Sequence, residues 1–369
     1  MQSSEMEEVT NHLSISAPGR ICLFGEHQDY LNLPVIACAI NLRINIIGKQ
    51  REDHTILIDL PDINRKEEFS LEGEPGYGKE RDYFKSSFNV LKRHGYTFSR
   101  GLECMVNGSI PINSGTSSSS ALIVAWINLL ARSSDQRASL APDQIAEYAY
   151  EAEVAEFGEP GGMMDHYSTS IGGIIYLESF PRINVEKIKT ELGYFVLGDS
   201  KEPKNTKFIL ARVKEQIKKI AKQLQAQYPD FSLQWADEND IDKYSNQLNS
   251  QQAELLKGTL KNRDITKNAK NLLNNSVTEH KAIGKLLNEH QAVLRDILQI
   301  STPKIDRMIE AASDAGAYGA KINGSGGGGC MFAYAPEEPE KVKEAIEKNG
   351  GTAYIIQVDS GTASDTEAN

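Results

Sequence analysis

The chain of 369 residues is poor in cysteine: Cys22, Cys38, Cys104 and Cys330 are scattered, and no C-x-x-C pair occurs. A disulfide scaffold is therefore not indicated, and the thiols read as buried small side chains in a reducing compartment. The seven histidines include no H-E-x-x-H arrangement, which argues against a structural zinc site. No apolar run reaches about 18 residues, so a membrane span is not expected. The opening MQSSEMEEVTNH has neither the basic nor the apolar region of a signal peptide, and cytoplasm is the expected location. Positive charge is also in short supply. Lys+Arg 40 against Asp+Glu 51 gives a formal charge of -11, a surface that repels phosphate backbones and argues against broad nucleic-acid binding.

What is present is an ordinary globular composition, 40% apolar and 25% charged, long enough for two domains. Leu13 to Ser16 reads as a short strand ended by Pro18-Gly19, and 61–81 as a polar surface excursion. Helical spacing follows over 83–91. PINSGTSSSSALIVAWINLLA passes from turn residues into an apolar helix, and 141–156 predicts a second helix interrupted by GEPGG. Residues 222–270 read as helices with uncertain ends. AYGAKINGSGGGGCMFAYA predicts strand, glycine turn, strand. The expected division is α+β, with residues 1–184 forming an N-terminal domain and 185–369 a C-terminal one. The acidic tail is expected to be disordered after about residue 360.

Two loops carry chemistry. The serines of PINSGTSSSS precede an apolar helix, where unpaired backbone N–H groups and the macrodipole favour an anion; a structural cap is the plain alternative. Gly324 to Gly329, broken only by Ser325, has more glycine than a hairpin needs, and a ligand approaching the main chain would explain it. It matches neither G-x-G-x-x-G after an N-terminal strand nor G-x-x-x-x-G-K-[ST], which disfavours a Rossmann site and a Walker loop. Arg20, Glu26, His27 and Asp29 cluster around a glycine turn and suit a polyhydroxylated ligand, or else a surface ion network. Asp165 follows a double glycine among apolar residues, and Glu153 and Glu156 share one helical face. Together these features fit phosphoryl transfer.

Three segments resemble the motifs of the GHMP small-molecule kinase superfamily, in order: APGRICLFGEHQDY, PINSGTSSSSAL and GAKINGSGGGGC. The first is close to the galactokinase pattern APGRVNLIGEHTDY. The resemblance implies an N-terminal domain like the second domain of ribosomal protein S5, a ferredoxin-like C-terminal domain, and a site between them. It implies ATP and Mg2+ as cofactors and a monosaccharide as the small-molecule substrate. Carried over, Asn113, Ser114, Gly115, Thr116, Ser117, Ser118 and Ser119 form the phosphate loop. Ser119 and Glu153 match the metal ligands, and Asp165 with Arg20 the catalytic pair. Glu26, His27, Asp29 and Gly162 match the substrate-binding group, while Lys321 is expected to support its strand end. The segment GDSKEPKNTKFILARVK is more similar to mevalonate kinases, which keeps mevalonate as an alternative acceptor. A non-catalytic sugar and nucleotide sensor is the alternative from a different class.

Overall fold

The computed structural model describes residues 12–365 except 113, 204–205 and 245. The first half alternates strands β1 (His12–Phe24), β2 (Val35–Gln50), β3 (Thr55–Leu60) and β4 (Arg65–Ser70) with helix α1 (Tyr83–Arg93) and strand β5 (Leu102–Gly108). Helices α2 (Ser118–Ser133), α3 (Pro142–Tyr150) and α4 (Met164–Ile171) precede strands β6 (Ile174–Glu178) and β7 (Asn184–Ile188). Then come β8 (Phe195–Asp199), α5 (Thr206–Gln225), α6 (Ser250–Leu273), α7 (His280–Ala292) and α8 (Pro303–Asp314). The chain finishes with β9 (Gly319–Ile322), β10 (Cys330–Tyr334), α9 (Pro339–Lys348), β11 (Thr352–Ile356) and β12 (Ala363–Ser364).

Among the described residues there are two sheets. One has eight strands in the order β12-β1-β2-β5-β3-β4, with the β6-β7 hairpin branching from the first half of β2. The other has four, β11-β8-β10-β9. Alternation explains β3, where Ile56, Ile58 and Leu60 face the core. Helix α2 packs on β1 and β2 and is apolar nearly all round, with Val124, Trp126, Ile127 and Leu130 all buried. Each such side chain contributes about 1.5–3 kcal/mol of burial. The Trp126 indole N–H finds the Phe84 carbonyl at 3.1 Å, so even its polar edge is satisfied. A second core is continuous from Ile21, Phe24 and Ile36 of the first sheet to Phe195, Leu197 and Phe332 of the second. The seam between the sheets is therefore packed, and the ends of β1 and β9 meet there.

Three expectations change. The strand does not stop at Pro18-Gly19: β1 runs through, and a register shift between Pro18 and Gly19 absorbs the missing N–H. The expected boundary at 184/185 falls inside β7, which pairs along its whole length with β6 and belongs to the first sheet. The tail is not frayed over 360–365, because Ile15 and Ser16 pair with Ser364 and Ala363. Arg43 fixes the approach, donating to Asp359 at 2.7 Å and to the Gly361 carbonyl at 2.7 Å. Residues 366–369 lie outside the described residues. Within 222–270, a loop and a short turn precede α6, which starts at a capping box made by Asn249 and Gln252. Among the described residues no helix is long and apolar enough to cross a membrane.

Candidate active site

A cleft of about 200 Å³ opens at the seam, lined from β1, the start of α2, the turn after α3, the start of α4 and the β9-β10 loop. Its centre is an ion pair. Arg20, on β1, donates from Nε and Nη2 to the two oxygens of Asp165 at 2.9 Å each, and from Nη1 to the Gly115 carbonyl at 2.6 Å. Ser117 donates its hydroxyl to Asp165 Oδ2 at 2.7 Å. The Arg20 backbone N–H also reaches the Thr116 carbonyl at 3.1 Å, so β1 and the serine loop are fixed to each other. The Asp165 side chain keeps 29% of its surface exposed, against 5% for Arg20. Burial pushes the Asp165 carboxyl up, but the Arg20 charge and the Ser117 hydroxyl outweigh it and hold it below the usual range.

At one end of the cleft lies Asp29. Its carboxylate accepts the backbone N–H groups of Tyr30 at 2.9 Å and Met164 at 3.3 Å. Burial, and then the neighbouring Asp165 charge, raise its pKa above the ordinary value. A Cβ on Gly162 would lie 2.0 Å from Asp29 Oδ2, so a larger residue there would push the carboxylate aside. His27 accepts the Tyr30 hydroxyl at Nδ1, 2.6 Å away, and its Nε2–H donates to the Ser325 carbonyl at 3.1 Å. Burial lowers its pKa to about 4, so the ring is neutral.

Glu26 differs from the expected substrate contact. Its Oε1 accepts the Gly324 N–H at 3.1 Å, and its Oε2 lies 2.6 Å from Lys321 Nζ. Both side chains are almost wholly buried. Lys321 also donates to the Cys22 and Ile322 carbonyls, at 3.0 and 2.9 Å. Glu26 therefore holds the β9-β10 loop rather than presenting a free carboxylate, and Lys321 ties the strand ends together.

The other end is built on the start of α2. Ser114 donates to the Pro111 carbonyl at 2.7 Å and lies 3.2 Å from the Thr116 hydroxyl, so these two side chains shape the loop from inside. Ser118, Ser119 and Ser120 line the cleft where the first N–H groups of α2 lack intrahelical partners. Asn113 lies outside the described residues. Glu153 sits on a π-type turn at Glu151–Ala155 and pairs with His166 Nε2 at 2.8 Å. Opposite them Arg81 grips Glu159 through two bonds of 3.0 Å.

The glycine-rich run has a different cause from the one expected. A Cβ at Gly326 would lie 2.5 Å from the Ile300 carbonyl, and one at Gly327 would lie 2.1 Å from Ile209. The chain itself, not a ligand, is the close neighbour at those positions; only Gly324 and Ser325 of the run line the cleft.

Of the described residues expected to act in catalysis or to bind substrate, phosphate or metal, all except Ser114 and Thr116 line this one cleft, whereas Glu156, Lys321 and Gly326 to Gly329 do not. Tyr30, Arg81, Tyr83, Glu159 and His166 were missed. Tyr30 and His166 adjoin the first-motif cluster and Asp165, which is a usable signal. Arg81 and Glu159 lie in segments read as a surface excursion and a helix interruption, with nothing local to connect them.

Comparison with known proteins gives the arrangement its family. Residues 82–173 match the GHMP kinases N terminal domain and 268–352 the GHMP kinases C terminal. Residues 6–50 match the galactokinase galactose-binding signature. The chain is 29% identical over 357 residues to a mevalonate kinase of Thermococcus gammatolerans, covering 93% of this chain and 95% of that one. It is 27% identical over 359 residues to a galactokinase of Mannheimia succiniciproducens, covering 94% and 91%. In fold it matches the Lactococcus lactis galactokinase complexed with galactose, with a TM-score of 0.84 at 22% identity over 96% of this chain and 95% of that one. The Methanococcus jannaschii mevalonate kinase follows at 0.73 and 21%, covering 95% and 100%. These likenesses place the fold among small-molecule kinases. The chain belongs to the GHMP kinase superfamily and is an ATP-dependent phosphotransferase.

Proposed function

We propose that the protein phosphorylates the anomeric hydroxyl of a neutral monosaccharide, galactose or a close relative, using ATP. The charge inventory of the cleft carries this reading. Among the described residues lining it, Arg20 and Arg81 are each committed to a carboxylate by two bonds, and His27 is neutral. Lys214, just outside, donates to the Pro160 carbonyl at 3.0 Å. A carboxylate-bearing acceptor such as mevalonate would enter beside Asp29 and Asp165, where Arg20 is already paired with Asp165 and the other lining arginine, Arg81, sits with the serines at the opposite end. A polyol needs only hydrogen bonds, and Asp29 is shaped by Gly162 to accept them. The galactokinase signature over residues 6–50 supports the same choice.

The mechanism follows from the same contacts. Arg20 orients Asp165 and places fixed positive charge where the transferring group gains negative charge. Asp165, held below its ordinary pKa, is a weak base toward a resting alcohol. It takes the proton late, as the new P–O bond acidifies the hydroxyl. The Ser118–Ser120 turn and the free N–H groups of α2 would receive the phosphates.

Mg2+ fits the donor set, although no group of three or more His, Cys, Asp or Glu side chains suited to a metal occurs among the described residues. Bound with nucleotide, this ion takes one or two carboxylates plus phosphate oxygens, and Glu153 with the Ser119 hydroxyl would supply the protein's share. It would neutralise phosphate charge. His166 holds Glu153 in place for that role.

Incubation with MgATP and galactose, followed by 31P NMR of the product, tests the reading. A new anomeric phosphate is expected; ADP formation with phosphate on another hydroxyl, or none on galactose or any neutral hexose, would overturn it.

A further inference from the structure

We propose that Arg81 is a nucleotide-binding residue that exchanges Glu159 for the triphosphate of ATP. The proposal rests on the kinase reading above, because it takes a nucleoside triphosphate to be the ligand at the serine end of the cleft.

Three observations support it. Arg81 lines the same cleft as Ser118, Ser119, Ser120 and Glu153, and lies near enough to Glu153 for that charge to act on it. Its backbone is held at φ 58°, a left-handed conformation that an arginine adopts only where its surroundings dictate it. The next residues explain what dictates it. Asp82 is buried, accepts the Gly78 N–H at 3.0 Å and pairs with Lys85 at 3.1 Å, so the chain must turn sharply at Arg81 before α1 begins. That turn sends the guanidinium into the cleft mouth.

The pair it makes there is suited to exchange. The Arg81 side chain is 39% exposed, so the guanidinium can turn to an anion in the cleft, while Glu159, 9% exposed, competes to keep it. A guanidinium presents the same two-pronged donor face to phosphate as to carboxylate, and a triphosphate offers more charge than one carboxylate. In the absence of nucleotide, Glu159 keeps the cation oriented and discourages other anions from settling on it. The competing account makes the pair a pin: Arg81 would only fasten the Phe157–Gly162 turn, whose far side Lys214 fastens at Pro160.

The two accounts differ in sign. Dissociation constants for adenosine, ADP and a non-hydrolysable ATP analogue with Mg2+ would be measured by calorimetry on the parent, Arg81→Met, Arg81→Lys and Glu159→Gln. Exchange predicts that Arg81→Met weakens the ATP analogue about tenfold or more, the scale of a lost charge-assisted bond. ADP should lose less, and adenosine should stay within about twofold, because it carries no phosphate for the guanidinium to hold. Arg81→Lys should restore part of the loss. Glu159→Gln should leave ATP affinity unchanged or tighter, since it removes the competitor.

Equal weakening in Arg81→Met and Glu159→Gln, or a loss as large for adenosine as for ATP, would overturn the proposal in favour of the pin. So would unchanged ATP affinity in Arg81→Met. If Arg81→Met does not fold, Arg81→Lys and Glu159→Gln still oppose each other in the same way. A parent that binds none of the nucleotides would overturn the kinase reading itself, a result distinct from normal parent binding with insensitive variants.

Discussion

Replacing Asp165 with asparagine keeps the side chain's size but removes the charge that faces Arg20. The amide can accept one of the two Arg20 bonds; its NH2 end opposes the other and cannot accept the Ser117 hydroxyl as the carboxylate does. Breaking a fully buried pair by removing one partner costs about 3–5 kcal/mol. Asp165 retains 29% exposure, so water relieves part of that, and a loss of about 2–3 kcal/mol is expected. The rate effect should be larger than the stability effect suggests. Losing a positioned base lowers turnover about 10²–10⁴-fold. The parent and variant would be compared by rapid-quench single turnover with saturating MgATP and galactose, alongside urea unfolding. A variant rate within about threefold of the parent would refute the base role, since it falls far short of that range.

Other consequences are as specific. Gly162→Ala forces a Cβ into the Asp29 carboxylate, and should raise the sugar KM by about tenfold, the worth of a displaced charged hydrogen bond, without changing nucleotide affinity; equal effects on both ligands in steady-state kinetics would count against the placement of Asp29. His27 is neutral when folded, with its pKa lowered to about 4, whereas the unfolded chain takes up that proton below about 6.5. Its contribution is thus full above the unfolded value and declines by about 3 kcal/mol as pH falls to the folded one, so urea midpoints of the parent should drop more steeply across this window than those of His27→Gln. Lys321→Met strands Glu26 in the core and should cost about 3–5 kcal/mol, most of it restored in the Glu26→Gln/Lys321→Met double variant; a single variant as stable as the parent would refute the pair's role.

The parts of the site that were legible in the sequence are those written as contiguous runs. Arg20, Asp165 and the serines at the start of α2 each belong to a local pattern of turn, charge and apolar helix, and the fold brings those patterns together. Contacts between distant segments left no such trace. Nothing near Glu26 announces Lys321 as its partner, and two independent segments converge to pair Arg81 with Glu159. The glycine run reads as room for a ligand because sequence records the absence of side chains without recording what approaches. Here Ile300 and Ile209 do. Residues 360–365 of the tail departed from their local reading for a similar reason: their order comes from the edge of β1 and from Arg43, neither of which composition reveals. Pro18 misled because a strand can continue past a proline when a register shift removes the need for its N–H.

The central claim is that the acceptor is a neutral sugar, recognised beside Asp29 and Asp165, where the lining cation Arg20 is already paired. Its most direct test is kcat/KM measured side by side for galactose, galacturonate and mevalonate under saturating MgATP. Galactose and galacturonate share a ring and differ in one carboxylate, so their ratio isolates charge from shape. The account predicts turnover of galactose, with galacturonate and mevalonate each poorer by about a hundredfold or more, as expected when a desolvated charge goes unpaired. Preference for mevalonate, or equal use of galactose and galacturonate, would contradict it.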